Sequence, residues 1–210
     1  MTKRVLIKSD ETLVLAIDAL TSCEPRFAYV LECTGMPKLR LRPDGFQTLL
    51  QAIVSQQVSV AAANAIWSRL ERENFLEPNQ ILKTNEDRLN AAGLSRQKIR
   101  YAKALAAADL DYIKLRQKSD DEVIRILTEI PGIGVWTAEI YAMFSLKRAD
   151  IFAAGDLALK ESARILFLLG ERPTEGELRK LSKKWSPWRS VAALLLWDYY
   201  SFAKNREGLV

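Results

Sequence analysis

Apolar residues recur every three or four positions along most of the chain. Leu13, Ile17 and Leu20 mark one such face, and Phe46, Leu49, Leu50, Ile53 and Val54 mark another. The pattern continues over Val60 to Leu70, Leu105 to Ile113, Val123 to Leu127, Ala138 to Phe144, Leu157 to Leu169 and Val191 to Phe202. An α-helix turns once in about 3.6 residues, so each stretch predicts a helix with one buried face. No segment alternates apolar and polar residues as a half-buried strand does, and no Asn-Gly pair marks a tight hairpin. The pattern predicts an all-α chain.

Helix starts are written in the polar residues between these runs. Ser119-Asp120-Asp121-Glu122 and Thr174-Glu175-Gly176-Glu177 both have the order in which a hydroxyl and a carboxylate cap the first turn reciprocally. Ser59 is placed to cap the helix beginning at Val60, and Ser95 to cap the one after Gly93. Pro43 and Gly45 break the chain before Phe46. There is no long linker, repeat or low-complexity tract, which predicts one compact unit with a cleft between two helical lobes.

Residues 127–138 read LTEIPGIGVWTA. Pro131 pushes Ile130 toward extended backbone and so stops the helical face of Val123, Ile124 and Leu127. Gly132 and Gly134 permit a tight turn with positive φ, and a second helix begins near Val135. A hairpin of this kind aims backbone N–H groups at whatever lies before the second helix, which suits a phosphate. A ligand-free pair of helices joined by glycine has the same pattern. Asp156 follows an Ala-Ala-Gly turn, twenty positions after Trp136, and on these residues alone reads as a helix cap. Trp197, within VAALLLWDYY, reads as core.

Composition narrows the chemistry. The 210 residues are enough to bury a core, and 49% hydrophobic with 27% charged residues is the balance of a globular chain rather than a disordered one. Two cysteines and no histidine exclude a four-ligand zinc site, a four-thiolate iron–sulfur cluster and every histidine-dependent nucleophile. No apolar run is long enough to span a bilayer, and MTKRVLIKSDE carries charges where a signal peptide needs its apolar core. A cytoplasmic protein is expected, in which Cys23 and Cys33 stay reduced. The net charge of +5 leans toward an anionic partner, although scattered surface lysines give the same value. Arg96, Lys98, Arg100 and Lys103 form a basic run that reads first as a solvated helix face.

Taken together, FQTLLQAIVSQQVSVAAA (46–63), GLSRQKIRYAKALA (93–106), IPGIGVWTAEIYAM (130–143), DIFAAGDLALKESAR (150–164) and KKWSPWRSVAALLLW (183–197) resemble the helix–hairpin–helix superfamily of base-excision DNA glycosylases. Within it the chain is similar to the DNA-3-methyladenine glycosylase II family, the alkylation-repair branch. The resemblance implies a barrel lobe over 44–153 containing the hairpin at about 123–144, and a second lobe from 1–43 and 154–210. It places the active site in the cleft between them. The N-terminal β-domain of some members is not expected before Pro43.

The resemblance also assigns roles. Asp156 matches the catalytic aspartate, Trp136 and Trp197 match aromatic residues of the base pocket, and a further pocket position falls on Ile140 with Tyr141 beside it. Gln57, with Gln56 next to it, takes the place of the side chain that fills the gap left by a flipped base. Gly132, Gly134 and Thr137 would hold a DNA phosphate, and the backbone carbonyls of Thr128, Ile130 and Ile133 would hold Na⁺ or K⁺. No catalytic cofactor, zinc or iron–sulfur cluster is implied. Bifunctional relatives carry a nucleophilic lysine where this chain has Trp136. The expectation is therefore a monofunctional enzyme that removes 3-methyladenine- or 7-methylguanine-type bases and leaves an abasic site. It would act as a monomer on duplex DNA in a bacterial-type, nucleoid-associated setting. The alternatives are a glycosylase for a deaminated or mismatched base, and a non-catalytic helix–hairpin–helix DNA-binding module.

Overall fold

The structure is a computed structural model that describes residues 4–207, and the backbone alone at 206 and 207. Residues 1–3 and 208–210 of the expected terminal lobe lie outside the described residues. Among the described residues the secondary structure is helical, with one isolated antiparallel bridge between Leu6 and Arg148. In chain order the helices are α1 (Asp10–Cys23), α2 (Arg26–Thr34), α3 (Phe46–Ser55), α4 (Val60–Arg72), α5 (Pro78–Lys83), α6 (Glu86–Ala91) and α7 (Arg96–Ala107). They continue with α8 (Tyr112–Gln117), α9 (Asp120–Thr128), α10 (Val135–Phe144), α11 (Leu157–Leu166), α12 (Glu175–Leu181), a 3₁₀ turn at Ser182–Trp185 and α13 (Arg189–Glu207). None is long and apolar enough to cross a membrane.

The expected caps are present. Ser119 with Glu122, and Thr174 with Glu177, close complete reciprocal boxes at the starts of α9 and α12. The Ser59 and Ser95 hydroxyls accept the N–H groups of Ala62 and Lys98. Two expected helices end differently. The apolar run from Leu105 to Ile113 is not one helix, because Asp109 adopts φ 42° and the Asp111 carboxylate accepts the Lys114 N–H to start α8. The run from Leu157 to Leu169 stops at Leu166, and Leu168 turns to φ 55° with its side chain 88% exposed. Apolar periodicity carries across both breaks; the local hydrogen bonds do not.

The chain divides into a central unit, 42–141, and a terminal unit made of 1–41 and 142–210. Residues 142–153 belong to the terminal unit rather than to the central lobe where the sequence placed them. Backbone bonds hold them there: Ile7 N–H to the Lys147 carbonyl at 2.8 Å, Ala149 N–H to Val5 at 3.2 Å, and Ser190 N–H to Ala149 at 2.9 Å. In the central unit α3 packs on α4 and α7, and α5 and α6 pack on α7. Leu49, Leu50, Ile53 and Val54 of α3 are buried there with Leu70, Ile99, Ala102 and Leu105.

In the terminal unit α13 packs against α11, α2 and α1. Trp185 is fully buried, with Phe27, Phe152 and Phe167 ring centroids at 5.3, 5.5 and 5.8 Å. The Glu161 carboxylate of α11 is buried and accepts from Arg164 at 2.9 Å and Arg172 at 2.8 Å. Those guanidinium groups hold its acidity at about 2, against an ordinary 4.5. A lowered carboxylate stabilises the fold above its unfolded value and loses that contribution as pH falls toward the folded value. Acid unfolding should therefore steepen between about 4.5 and about 2. We expect Glu161→Gln to cost about 1–3 kcal/mol at neutral pH and to flatten that part of the profile, as read by urea denaturation across pH.

Candidate nucleic-acid interface and active site

In the central unit, the hairpin between α9 and α10 is shaped by one glycine more than the other. Gly132 sits at φ +94°, and a Cβ there would lie 2.4 Å from Cγ of Tyr101. Gly134 does not adopt positive φ, contrary to the expectation for both glycines, and a Cβ there would meet nothing within 4 Å. Its carbonyl accepts the Ala138 N–H at 3.0 Å, the first bond of the α10 ladder. The N–H groups of the first turn, that of Thr137 among them, thus precede the ladder and have no acceptor inside the helix. The Thr137 side chain is buried, whereas Val135 and Trp136 are about half exposed, at 47% and 48%. Ile140, farther along the helix, is half-buried.

Three carbonyls flank the turn. Thr128 closes α9 and Ile133 precedes Gly134, so neither has a helical i+4 donor. The Ile130 carbonyl accepts the Ile133 N–H at 3.0 Å and keeps its second lone pair. This neutral oxygen set fits a hard monovalent cation and does not fit zinc. Among the described residues no cluster of His, Cys, Asp or Glu could hold a metal.

The turn between α3 and α4 separates its two glutamines. Gln56 is half-buried and its Nε2 donates to the Gly132 carbonyl at 2.8 Å, which ties this turn to the hairpin. Gln57 is exposed, with φ 55°. Positive φ at a residue with a Cβ is uncommon and costs about 1–2 kcal/mol. Lys98, read from sequence as part of a solvated run, is buried instead, and its Nζ donates to the Val54 carbonyl in the last turn of α3 at 2.6 Å. Burial lowers its pKa below the usual 10.5.

Tyr141 is buried, and its hydroxyl donates to the Asp44 carboxylate and accepts the Gly45 N–H at 3.0 Å. Asp44 also takes a hydrogen bond from Arg116. Burial first, and then the Asp44 charge, pushes the Tyr141 phenol well above its usual 10.0. Nothing in the sequence separated Asp44 from an ordinary turn aspartate, because its partners lie far along the chain.

The terminal unit holds Asp156. One of its oxygens, Oδ1, accepts the N–H groups of Ala158 at 2.9 Å and Leu159 at 3.0 Å, as the cap of α11 should. The same oxygen also accepts the indole N–H of Trp197 at 3.2 Å. Trp197 is half-buried, and its ring lies 5.9 Å from that of Phe144. The structure thus joins two predicted residues, Asp156 with Trp197, and separately Gln56 with Gly132. A carboxylate held by three donors cannot rotate freely, which suits a group that must present charge at one place.

A glycine hairpin at the N-terminus of one helix, with an aspartate anchored at the N-terminus of the next, is the arrangement of a helix–hairpin–helix DNA-repair protein. A family model described as "HhH-GPD superfamily base excision DNA repair protein" matches residues 50–187, and the chain belongs to this family. The alkylbase DNA glycosidase-like protein mag2 of Schizosaccharomyces pombe is 30% identical over 191 residues, 85% of this chain and 90% of the relative. A crystal structure of DNA-3-methyladenine glycosidase from Bacillus halodurans superposes with TM-score 0.82 at 32% identity, over 97% of this chain and 95% of that one. The S. pombe 3-methyladenine DNA glycosylase Mag1, in complex with abasic DNA, superposes with TM-score 0.74 at 30% identity, over 87% and 94%.

The two glycines predict different outcomes. Gly132→Ala must move the Tyr101 ring and hold a Cβ at positive φ, and should cost about 2–4 kcal/mol in urea denaturation. Gly134→Ala should cost less than about 1 kcal/mol.

Proposed function

We propose that the chain is a monofunctional DNA glycosylase that extrudes alkylated bases of the 3-methyladenine and 7-methylguanine type from duplex DNA. It hydrolyses the N-glycosidic bond and leaves an abasic site for base excision repair, acting as a cytoplasmic monomer. The observation that carries this reading is the Asp156 carboxylate, fixed by Ala158, Leu159 and Trp197 on one oxygen.

As the bond between base and deoxyribose lengthens, the bonding electrons go to the base and positive charge builds on the sugar. Asp156 stabilises that charge electrostatically, and water supplies the oxygen that ends on the sugar. An N-alkylated purine is cationic and becomes neutral as it leaves, so no strong general acid is needed. A chain without histidine suits that requirement. Trp136 offers an exposed aromatic face to an electron-poor ring; Trp197 and Ile140 are the further side chains proposed to contact the base. Tyr141 contributes through packing, since Asp44 and Gly45 engage its hydroxyl. With an indole at 136 there is no amine to form a Schiff base, so no strand cleavage follows base release.

Gln57 enters the base stack; its exposed, left-handed backbone is the kind of strained position retained for a task. Gln56 anchors that turn rather than intercalating. The N-terminus of α10, with Gly132, Gly134 and Thr137, holds a phosphate of the lesion strand. Thr128, Ile130 and Ile133 hold a Na⁺ or K⁺ ion that adds positive charge beside that phosphate.

Methylated duplex DNA is the test. The protein should release free 3-methyladenine or 7-methylguanine and leave alkali-labile sites, with no borohydride-trapped adduct. Asp156→Asn should lower single-turnover release by about a hundredfold or more while DNA affinity and folding persist. Trp197→Phe, which keeps a ring but loses the N–H, should lower release by about tenfold. Salt-dependent DNA binding without base release from any lesion would instead identify a non-catalytic binding module.

A further inference from the structure

Between Phe152 and Asp156 the chain reads Ala-Ala-Gly. The Phe152 ring is held in the aromatic core, 5.5 Å from that of Trp185 between centroids. Beyond it, no side chain longer than a methyl group anchors the chain until Asp156 itself. Backbone bonds fold the stretch into a turn. The Ala154 N–H donates to the Phe152 carbonyl at 2.8 Å, and the Asp156 N–H to the Ala153 carbonyl at 2.9 Å.

Two side chains of α12 reach this turn from outside it. Arg179 donates through Nη1 to the Phe152 carbonyl at 3.5 Å and through Nη2 to the Glu175 carboxylate at 2.7 Å. A carbonyl oxygen has two lone pairs, so that of Phe152 serves Ala154 and Arg179 together. Glu175 lies four residues before Arg179, the order that favours an ion pair along a helix. Its other oxygen, Oε2, abuts Gly155, where a Cβ would lie 3.4 Å from it. The pair therefore bears on both ends of the Ala-Ala-Gly stretch.

Neither the helix nor the core requires this pair. Thr174 and Glu177 close the capping box of α12 without it. The two side chains are 38% and 50% exposed, and an ion pair that exposed adds little to global stability. What it does constrain is the backbone that leads into Asp156.

We propose that Arg179, aimed by Glu175, is a positioning residue for the Asp156 carboxylate, acting through the turn at 152–155 rather than on the substrate. The inference rests on the glycosylase reading, in which Asp156 stabilises the charge on the sugar. The turn sets how the chain enters α11, and so where Oδ1 of Asp156 meets the Trp197 indole. Removing the guanidinium takes one donor from the Phe152 carbonyl and leaves the Glu175 charge without this partner beside Gly155. A small displacement of the carboxylate suffices to slow the reaction, because electrostatic stabilisation depends on placement.

The experiment is a double-mutant cycle on single-turnover release of 7-methylguanine from methylated duplex DNA at saturating enzyme. Arg179→Met should lower the rate about tenfold, with unchanged affinity for a duplex holding a tetrahydrofuran abasic analogue. In an Asp156→Asn background the same change should cost less than about twofold, since the carboxylate it positions is gone. Glu175→Gln should act in the same direction by about threefold. Lys180→Met, which removes an exposed cation of the same helix, should leave the rate unchanged. An unchanged rate in Arg179→Met overturns the proposal. An equal loss in both backgrounds also overturns it, as general damage, and so does a loss of affinity alone, as a DNA contact. If Arg179→Met does not fold, Glu175→Gln decides by the same cycle. A second readout needs no activity: the indole N–H cross-peak of Trp197, identified by its loss in Trp197→Phe, should shift in Arg179→Met while that of Trp67 in the central unit stays. If wild type releases no methylated base, the glycosylase reading fails and the cross-peak decides. A shift at Trp197 then upholds the positioning role, and no shift overturns it.

Discussion

The ring of Tyr101 leaves no room for a side chain at Gly132. That contact sets the hairpin against α7, and the remaining arrangement of the central unit's candidate interface is referred to it. The Gly132 carbonyl, fixed by the same turn, receives the Gln56 amide and so locates the turn carrying Gln57. Lys98, one helical turn before Tyr101 on α7, grips the end of α3 from which that turn departs. A single close approach thereby coordinates the start of α10 with the turn that carries Gln57. Replacing the glycine moves both, because interiors packed at this density shift neighbours rather than absorb a methyl group.

Asp156 is held by more than a helix cap requires. Its hydrogen bonds to Ala158 and Leu159 are those of an ordinary N-cap, and they start α11. The bond from Trp197, forty-one positions away, belongs to no capping rule. Capping fixes where the carboxylate sits along the helix axis, and the indole restrains its rotation. Cap and indole together hold one carboxylate oxygen in a single place.

Legibility in the sequence followed the range of the interaction. The capping boxes at Ser119 and Thr174 could be read because every atom involved lies within four residues. The hairpin could be read because Pro131 and Gly132 act on their own backbone. Lys98 was misread because nothing local distinguishes a lysine beneath a helix end from one in solvent. The Leu105–Ile113 run was misread for the opposite reason: the apolar period persists, but Asp109 and Asp111 reset the backbone. The Asp156–Trp197 pair was legible only as two family positions; their hydrogen bond required the fold. The Asp44–Tyr141–Arg116 cluster left no signal at all, since aspartate beside glycine is a common turn.

That cluster also bears on where an acid could come from. An enzyme that must protonate its leaving base needs an acid whose pKa lies near the working pH. Tyr141 is pushed away from that range by burial and by Asp44, and Tyr112 is raised in the same way. Both phenols therefore keep their protons. The chain has no histidine, and position 136 is occupied by an indole with no ionisable group. Neither phenol thereby offers a proton near neutral pH, so an acid of that kind has no source in this cluster.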